Sequence, residues 1–153
     1  MKKTLFALTL LASSYSQAIT WEVYGPCDDK PVHYGKVEVD LNKSVGEISV
    51  AIFDANKIPY IGGPEGMNSI INTPTGLDSL EIVSNSEMRA YGWCYAINGS
   101  TPYKMPNVLN LKSQDDRLVW YYGYTTNKEN VWQDDMCTPA FWVRSEQFCP
   151  KKK

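Results

Sequence analysis

The sequence is poor in the groups that chemistry near neutral pH depends on. One residue of 153 is histidine, His33, set between Val32 and Tyr34. Any serine or cysteine nucleophile would have that single imidazole as its base, so no Ser-His-Asp or Cys-His set is supported. No two cysteines form a C-x-x-C pair, which removes the usual zinc spacing. No Gly-rich loop joins a strand to a helix start, so nucleotide phosphates have no cradle. The acidic pairs Asp28-Asp29, Asp115-Asp116 and Asp134-Asp135 lack calcium-loop spacing and read as solvated turns. These absences predict a protein that is not an enzyme and needs no cofactor or metal.

Long apolar runs are missing too. The longest candidate, Leu5 to Ala12, is well short of the ~20 residues that span a bilayer. It follows Lys2 and Lys3 and precedes Ser16-Gln17-Ala18, with small residues at the two positions a signal peptidase reads. Residues 1–18 therefore read as a bacterial-type signal peptide cleaved after Ala18. The expected destination is the periplasm or the medium. No cysteine lies near the cleavage point to carry a lipid anchor. Without Lys2 and Lys3 the chain keeps 13 basic residues against 17 acidic, a net charge of −4. That balance offers no basic field to nucleic acid or anionic lipid. Lys151-Lys152-Lys153 reads as a solvated end.

The remaining residues, 19–153, are one domain's worth of chain. Four cysteines lie in it: Cys27, Cys94, Cys137 and Cys149. An even number in an exported protein predicts two disulfides. Ile19 to Tyr24 alternates as a strand does, and Val32 to Leu41 gives a second strand that returns against it. Ser44 and Glu47 fit a capping box. Val45, Ile48, Ala51, Ile52, Ala55 and Ile58 follow at helical spacing, and Pro59 ends the run. Ile48, Val50 and Ile52 also alternate, but the cap and the longer periodicity favour a helix.

Tyr60 to Gly76 is punctuated by glycine and proline and reads as mostly loop, with an extended piece near Ser69 to Ile71. Leu77 to Val83 is a weak strand and Tyr91 to Ile97 a strong one. The latter turns at Asn98-Gly99, a favoured two-residue turn pair, which also explains the N-x-S triplet at Asn98. Arg117 to Tyr124 is the second strong strand. Asn127 to Asn130 is a turn, and Val131 to Cys137 returns antiparallel. Tyr91, Trp93, Tyr95 and Ile97 share one face of their strand; Leu118, Trp120, Tyr122 and Tyr124 share one face of theirs. Two arrangements follow. Either a helix covers the opposite, small-residue face and the aromatics form a platform, or the aromatics are the core.

Gly92-Trp93-Cys94-Tyr95-Ala96-Ile97-Asn98-Gly99, with Leu111, Asp116, Leu118, Trp120 and Tyr122, resembles the transcobalamin-like C-terminal domain family. The likeness covers roughly residues 32 to 124. Gln114-Asp115 stands where that family has glycine. The resemblance implies an α+β fold, β-grasp-like: a mixed sheet packed on one helix, here with a disulfide-stapled C-terminal tail from about residue 125. In the vitamin carriers this domain is the smaller of two halves that close over cobalamin. The larger half has no counterpart in this sequence, so cobalamin does not carry over.

The implied sheet sets the closing strand between the first strand and the Trp93 strand. That separates Cys27 from Cys94 by about 10 Å and brings the tail to both. The expected pairs are Cys94–Cys137 and Cys27–Cys149. The expected function is that of an exported binding module for a small molecule or protein, with Tyr91, Trp93, Tyr95, Trp120 and Tyr122 as ligand contacts. The alternative is a small exported inhibitor or accessory protein that docks through a protruding loop at Tyr60 to Gly76.

Overall fold

The computed structural model describes residues 17–150. Most of the expected leader and the terminal lysines lie outside them. Ile19–Tyr24 (β1) and His33–Val37 (β2) form an antiparallel hairpin, and Val45–Ala55 (α1) follows. Both halves of the capping box are made. Ser44 Oγ accepts from the Glu47 N–H, and Glu47 Oε2 accepts from the Ser44 N–H at 2.8 Å. Two of the four unpaired N–H groups at the helix start are satisfied in this way.

Tyr60–Gly63 (β3) and Gly66–Ile70 (β4) then form a separate two-stranded hairpin. Sequence reasoning expects mostly loop here, and that expectation is corrected. Gly62 and Gly66 have φ of +147° and +155°, conformations that other residues rarely adopt. They let a bulged hairpin close around Pro64-Glu65 without the alternation that marks an ordinary strand.

Leu80–Ser84 (β5), Glu87–Ile97 (β6) and Arg117–Lys128 (β7) complete the main sheet. Its order is β2-β1-β7-β6-β5, mixed because β1 and β7 run parallel while the other pairs are antiparallel. Val131–Trp132 (β8) and Thr138–Pro139 (β9) pair with the far end of β7, past the point where β1 ends. The expected return strand is thus two short pieces.

The aromatic faces of β6 and β7 are the core. Ile48, Ile52 and Phe53 of α1 pack with Trp21, Tyr95, Leu118 and Trp120. The Trp120 indole N–H donates to Ser49 Oγ at 2.8 Å, so this buried ring leaves no donor unpaired. Farther along the same strands the tail takes over. Phe148 meets Tyr91 and Tyr122 edge-on, with ring centroids 4.7 and 5.5 Å apart, beside Ala140. The tail is held by both disulfides, Cys27–Cys149 and Cys94–Cys137, the expected pairs. Ser145 Oγ also donates to Glu81 Oε1 at 2.6 Å. No helix among the described residues is long and apolar enough to cross a membrane.

Candidate functional site

β6 is an inner strand for only four of its 11 residues. β5 pairs with it from Glu87 to Ala90 and no farther, because the chain enters β5 from a 3-10 turn at Gly76–Ser79. Beyond Tyr91 the outer edge of β6 carries no strand. A cleft of about 500 Å³ lies along this edge, floored by Trp93, Cys94 and Tyr95. One wall is the β3–β4 hairpin, including Glu65, Met67 and Asn68. The other is the segment from Thr101 to Pro106. A second hollow of about 520 Å³ adjoins it and shares Met67, Asn68 and Trp93.

Both walls are fixed. The hairpin turn rests on α1, where a Cβ at Gly46 would collide with the Pro64 carbonyl oxygen. Glycine at this early helical position is what lets the turn come so close. The second wall is pinned on both faces of the sheet. Thr101 Oγ1 and Tyr121 Oη are 2.7 Å apart on one face. On the other, the Tyr95 hydroxyl donates to the Lys104 carbonyl at 2.6 Å. Lys104 and Met105 are thereby held over the opening. Met105 in the second wall is 58% exposed, and Tyr103 beside it in the chain is 90% exposed. Apolar side chains so exposed on fixed segments suit contact with a ligand.

The five sequence-proposed contacts do not form an open platform. Tyr91, Tyr95, Trp120 and Tyr122 are buried, and only Trp93 is half-buried. Tyr122 lines neither hollow and belongs to the core beneath the tail. Trp93 borders both hollows, Tyr95 and Trp120 border the first, and Tyr91 the second. The Trp93 indole N–H is engaged by Thr73 Oγ1 at 2.7 Å, which fixes its ring. Burial and the neighbouring Glu81 carboxylate hold the Tyr91 phenol far above its ordinary value, so it stays protonated and donates to Glu81 at 2.6 Å. Lys104 and Met105 escaped sequence reasoning, and Glu65, Met67 and Asn68 are expected only within the Tyr60 to Gly76 docking loop of the inhibitor alternative, not as a cleft wall. Their only signal was Gly-Gly-Pro-Glu-Gly ahead of Met67, which reads as a turn but does not say what it faces.

The chain matches no family model, no curated protein and no solved structure. The site must be read from its own chemistry. Its side-chain polar groups are one carboxylate, one ammonium and the Asn68 amide, with the Thr101 and Tyr95 hydroxyls and the Trp93 and Trp120 indoles already committed within the fold, beside main-chain groups. Such a set can hold a molecule by hydrogen bonds and apolar contact. It contains no nucleophile with an adjacent base.

Proposed function

We propose that this protein is an exported, non-enzymatic binding module that takes its ligand in the cleft along the outer edge of β6. The observation that carries the reading is the bare strand edge between two pinned walls, one of which presents exposed Met105. Concave, mainly apolar sites with a few convergent polar groups are the common form of a ligand pocket. Two disulfides that clamp the tail suit an oxidising compartment outside the cytoplasm. The strand order β2-β1-β7-β6-β5, with a helix after the first hairpin, supports a β-grasp architecture of the transcobalamin-like type. The inhibitor alternative needs a protruding loop at Tyr60 to Gly76. That segment begins as a hairpin packed on α1, which favours its role as a cleft wall.

The test is native mass spectrometry of the protein purified from its own host. A mature chain beginning at Ile19 should carry a bound molecule. Met105→Arg, in the cleft wall, should lose it. Ala51→Arg should keep it, although Ala51 lines a separate groove of about 360 Å³ between β2 and α1. Loss on Ala51→Arg with retention on Met105→Arg would move the site to that groove.

A further inference from the structure

Strand geometry says which main-chain groups β6 turns toward the cleft. Residues of an antiparallel pair alternate between facing the partner strand and facing away. The Asn98 N–H donates to the Arg117 carbonyl of β7 at 2.9 Å, so Asn98 faces β7. The register pairs Ala96 with Val119 and Cys94 with Tyr121, and alternation turns both toward β7. Ile97 therefore faces outward, and its N–H and C=O both bond to Ser100 across the Asn-Gly turn. The same alternation turns Tyr95 and Trp93 outward. At the other end Arg89, also outward, is paired with Glu81 of β5. Between these closed ends the outward residues are Tyr91, where the pairing with β5 ends, then Trp93 and Tyr95, and the outward N–H and C=O groups of Trp93 and Tyr95 meet no backbone partner among the described residues. Both residues floor the cleft.

A pair of donors and a pair of acceptors at strand spacing match one chemical class closely, the main chain of an extended polypeptide. We infer that the cleft takes an extended peptide segment, which adds to the outer edge of β6 as a short antiparallel strand bonded at Trp93 and Tyr95. This rests on reading the cleft as the ligand site. The walls add charge preference. Glu65 on one and Lys104 on the other form no ion pair among the described residues. A peptide with an acidic side chain near Lys104 and a basic one near Glu65 complements them. The limits of the open edge make the recognised strand short, with two residues bonded to β6. Exposed Met105 in the second wall contacts a flanking side chain.

The experiment uses isotopically labelled full-length mature protein and a pool of N-acetylated, C-amidated hexapeptides. Each has apolar residues at alternate positions between one Lys and one Asp. In the free protein the Trp93 and Tyr95 amides should exchange rapidly with solvent, while Cys94 and Ala96 are protected. Slow exchange at Trp93 and Tyr95 would overturn the edge assignment. A binding peptide should shift and protect those two amides. N-methylating the two peptide residues that face β6 should weaken it about tenfold or more, since two hydrogen bonds are lost. N-methylating their neighbours should change binding little. Shifts at Trp93 and Tyr95 that ignore N-methylation would overturn strand addition and leave the cleft as the site. The same follows if no hexapeptide binds at millimolar concentration while a small molecule retained from the host shifts those amides. Peptide shifts confined to β2 or α1 would overturn both readings.

Discussion

Deleting the same atom from three neighbouring tyrosines should change stability with opposite signs. Tyr122 is fully buried, and its hydroxyl has no hydrogen-bond partner among the described residues. Burying an unpaired hydroxyl costs about 1–3 kcal/mol. Tyr122→Phe removes that penalty. It leaves a void of about one oxygen atom, some 10–15 Å³, worth about 0.3 kcal/mol at the usual cavity coefficient. The variant should be more stable by about 1–2 kcal/mol, or about 3–7 °C in Tm for a domain of this size. Tyr95→Phe should instead lose about 1 kcal/mol, because its hydroxyl donates to the Lys104 carbonyl. Tyr91→Phe should lose about 1.5–3 kcal/mol, because its acceptor is the Glu81 carboxylate at 2.6 Å.

Urea unfolding of the oxidised protein at pH 7, with the slope unchanged among variants, reads all three. A further check lies at high pH. Burial pushes the Tyr122 phenol up to about 12, from 10.0. Its contribution is complete below pH 10 and is lost as pH rises from 10 through 12, since the unfolded chain ionises first. Phenylalanine has no such loss, so the advantage of Tyr122→Phe should widen above pH 10. Destabilisation by 1 kcal/mol or more at pH 7 would refute the reasoning. It would mean that the hydroxyl has a partner, such as a buried water, and that the core under the tail is not dry.

Gly46→Ala should destabilise by about 1–3 kcal/mol in a thermal melt, although alanine is the better helix former by about 1 kcal/mol. A gain would show that the β3–β4 turn can move off α1. Asp116 accepts from the Lys112 and Ser113 N–H groups and from Asn98 Nδ2. Burial raises its pKa, but these bonds outweigh burial and hold it below the ordinary carboxylate value. Its stabilisation is therefore present above the unfolded value near 4 and lost as pH falls through the lower folded value. The stability gap to Asp116→Asn should shrink from pH 7 to pH 3; a constant gap would remove the carboxylate from this role. Replacing either cysteine pair by serine should cost about 2–5 kcal/mol. Non-reducing peptide mapping should yield only the 27–149 and 94–137 links, and a Cys137–Cys149 peptide would contradict the fold.

The legible parts of the sequence are those where a local rule has one outcome. Ser44-x-x-Glu47 has one use, and the helix starts there. Ile19 to Tyr24 alternates, and β1 has those bounds. Val32 to Leu41 also alternates, yet β2 ends at Val37. There the side chain of Gln114 takes over the partner's role, bonding both the N–H and C=O of Val39. A side chain 75 residues away leaves no trace in the local pattern. The aromatic faces were ambiguous because β6 and β7 are apolar on both sides, so alternation does not say which side meets the helix.

The cleft was illegible for a deeper reason. A strand's composition reports its two faces and says nothing of its two edges. What bares the edge of β6 is the 3-10 turn at Gly76–Ser79, which stops β5 from pairing beyond Ala90. Proteins ordinarily blunt an unpaired edge with charge, proline, a bulge or a covering segment, because it invites pairing with other chains. Here two pinned segments flank the edge and deny it to another sheet, yet neither bonds to the main-chain N–H or C=O of Trp93 or Tyr95. A guarded edge with its hydrogen bonds unmade admits a single extended chain and excludes a broad one, which is the selectivity a peptide-binding module requires.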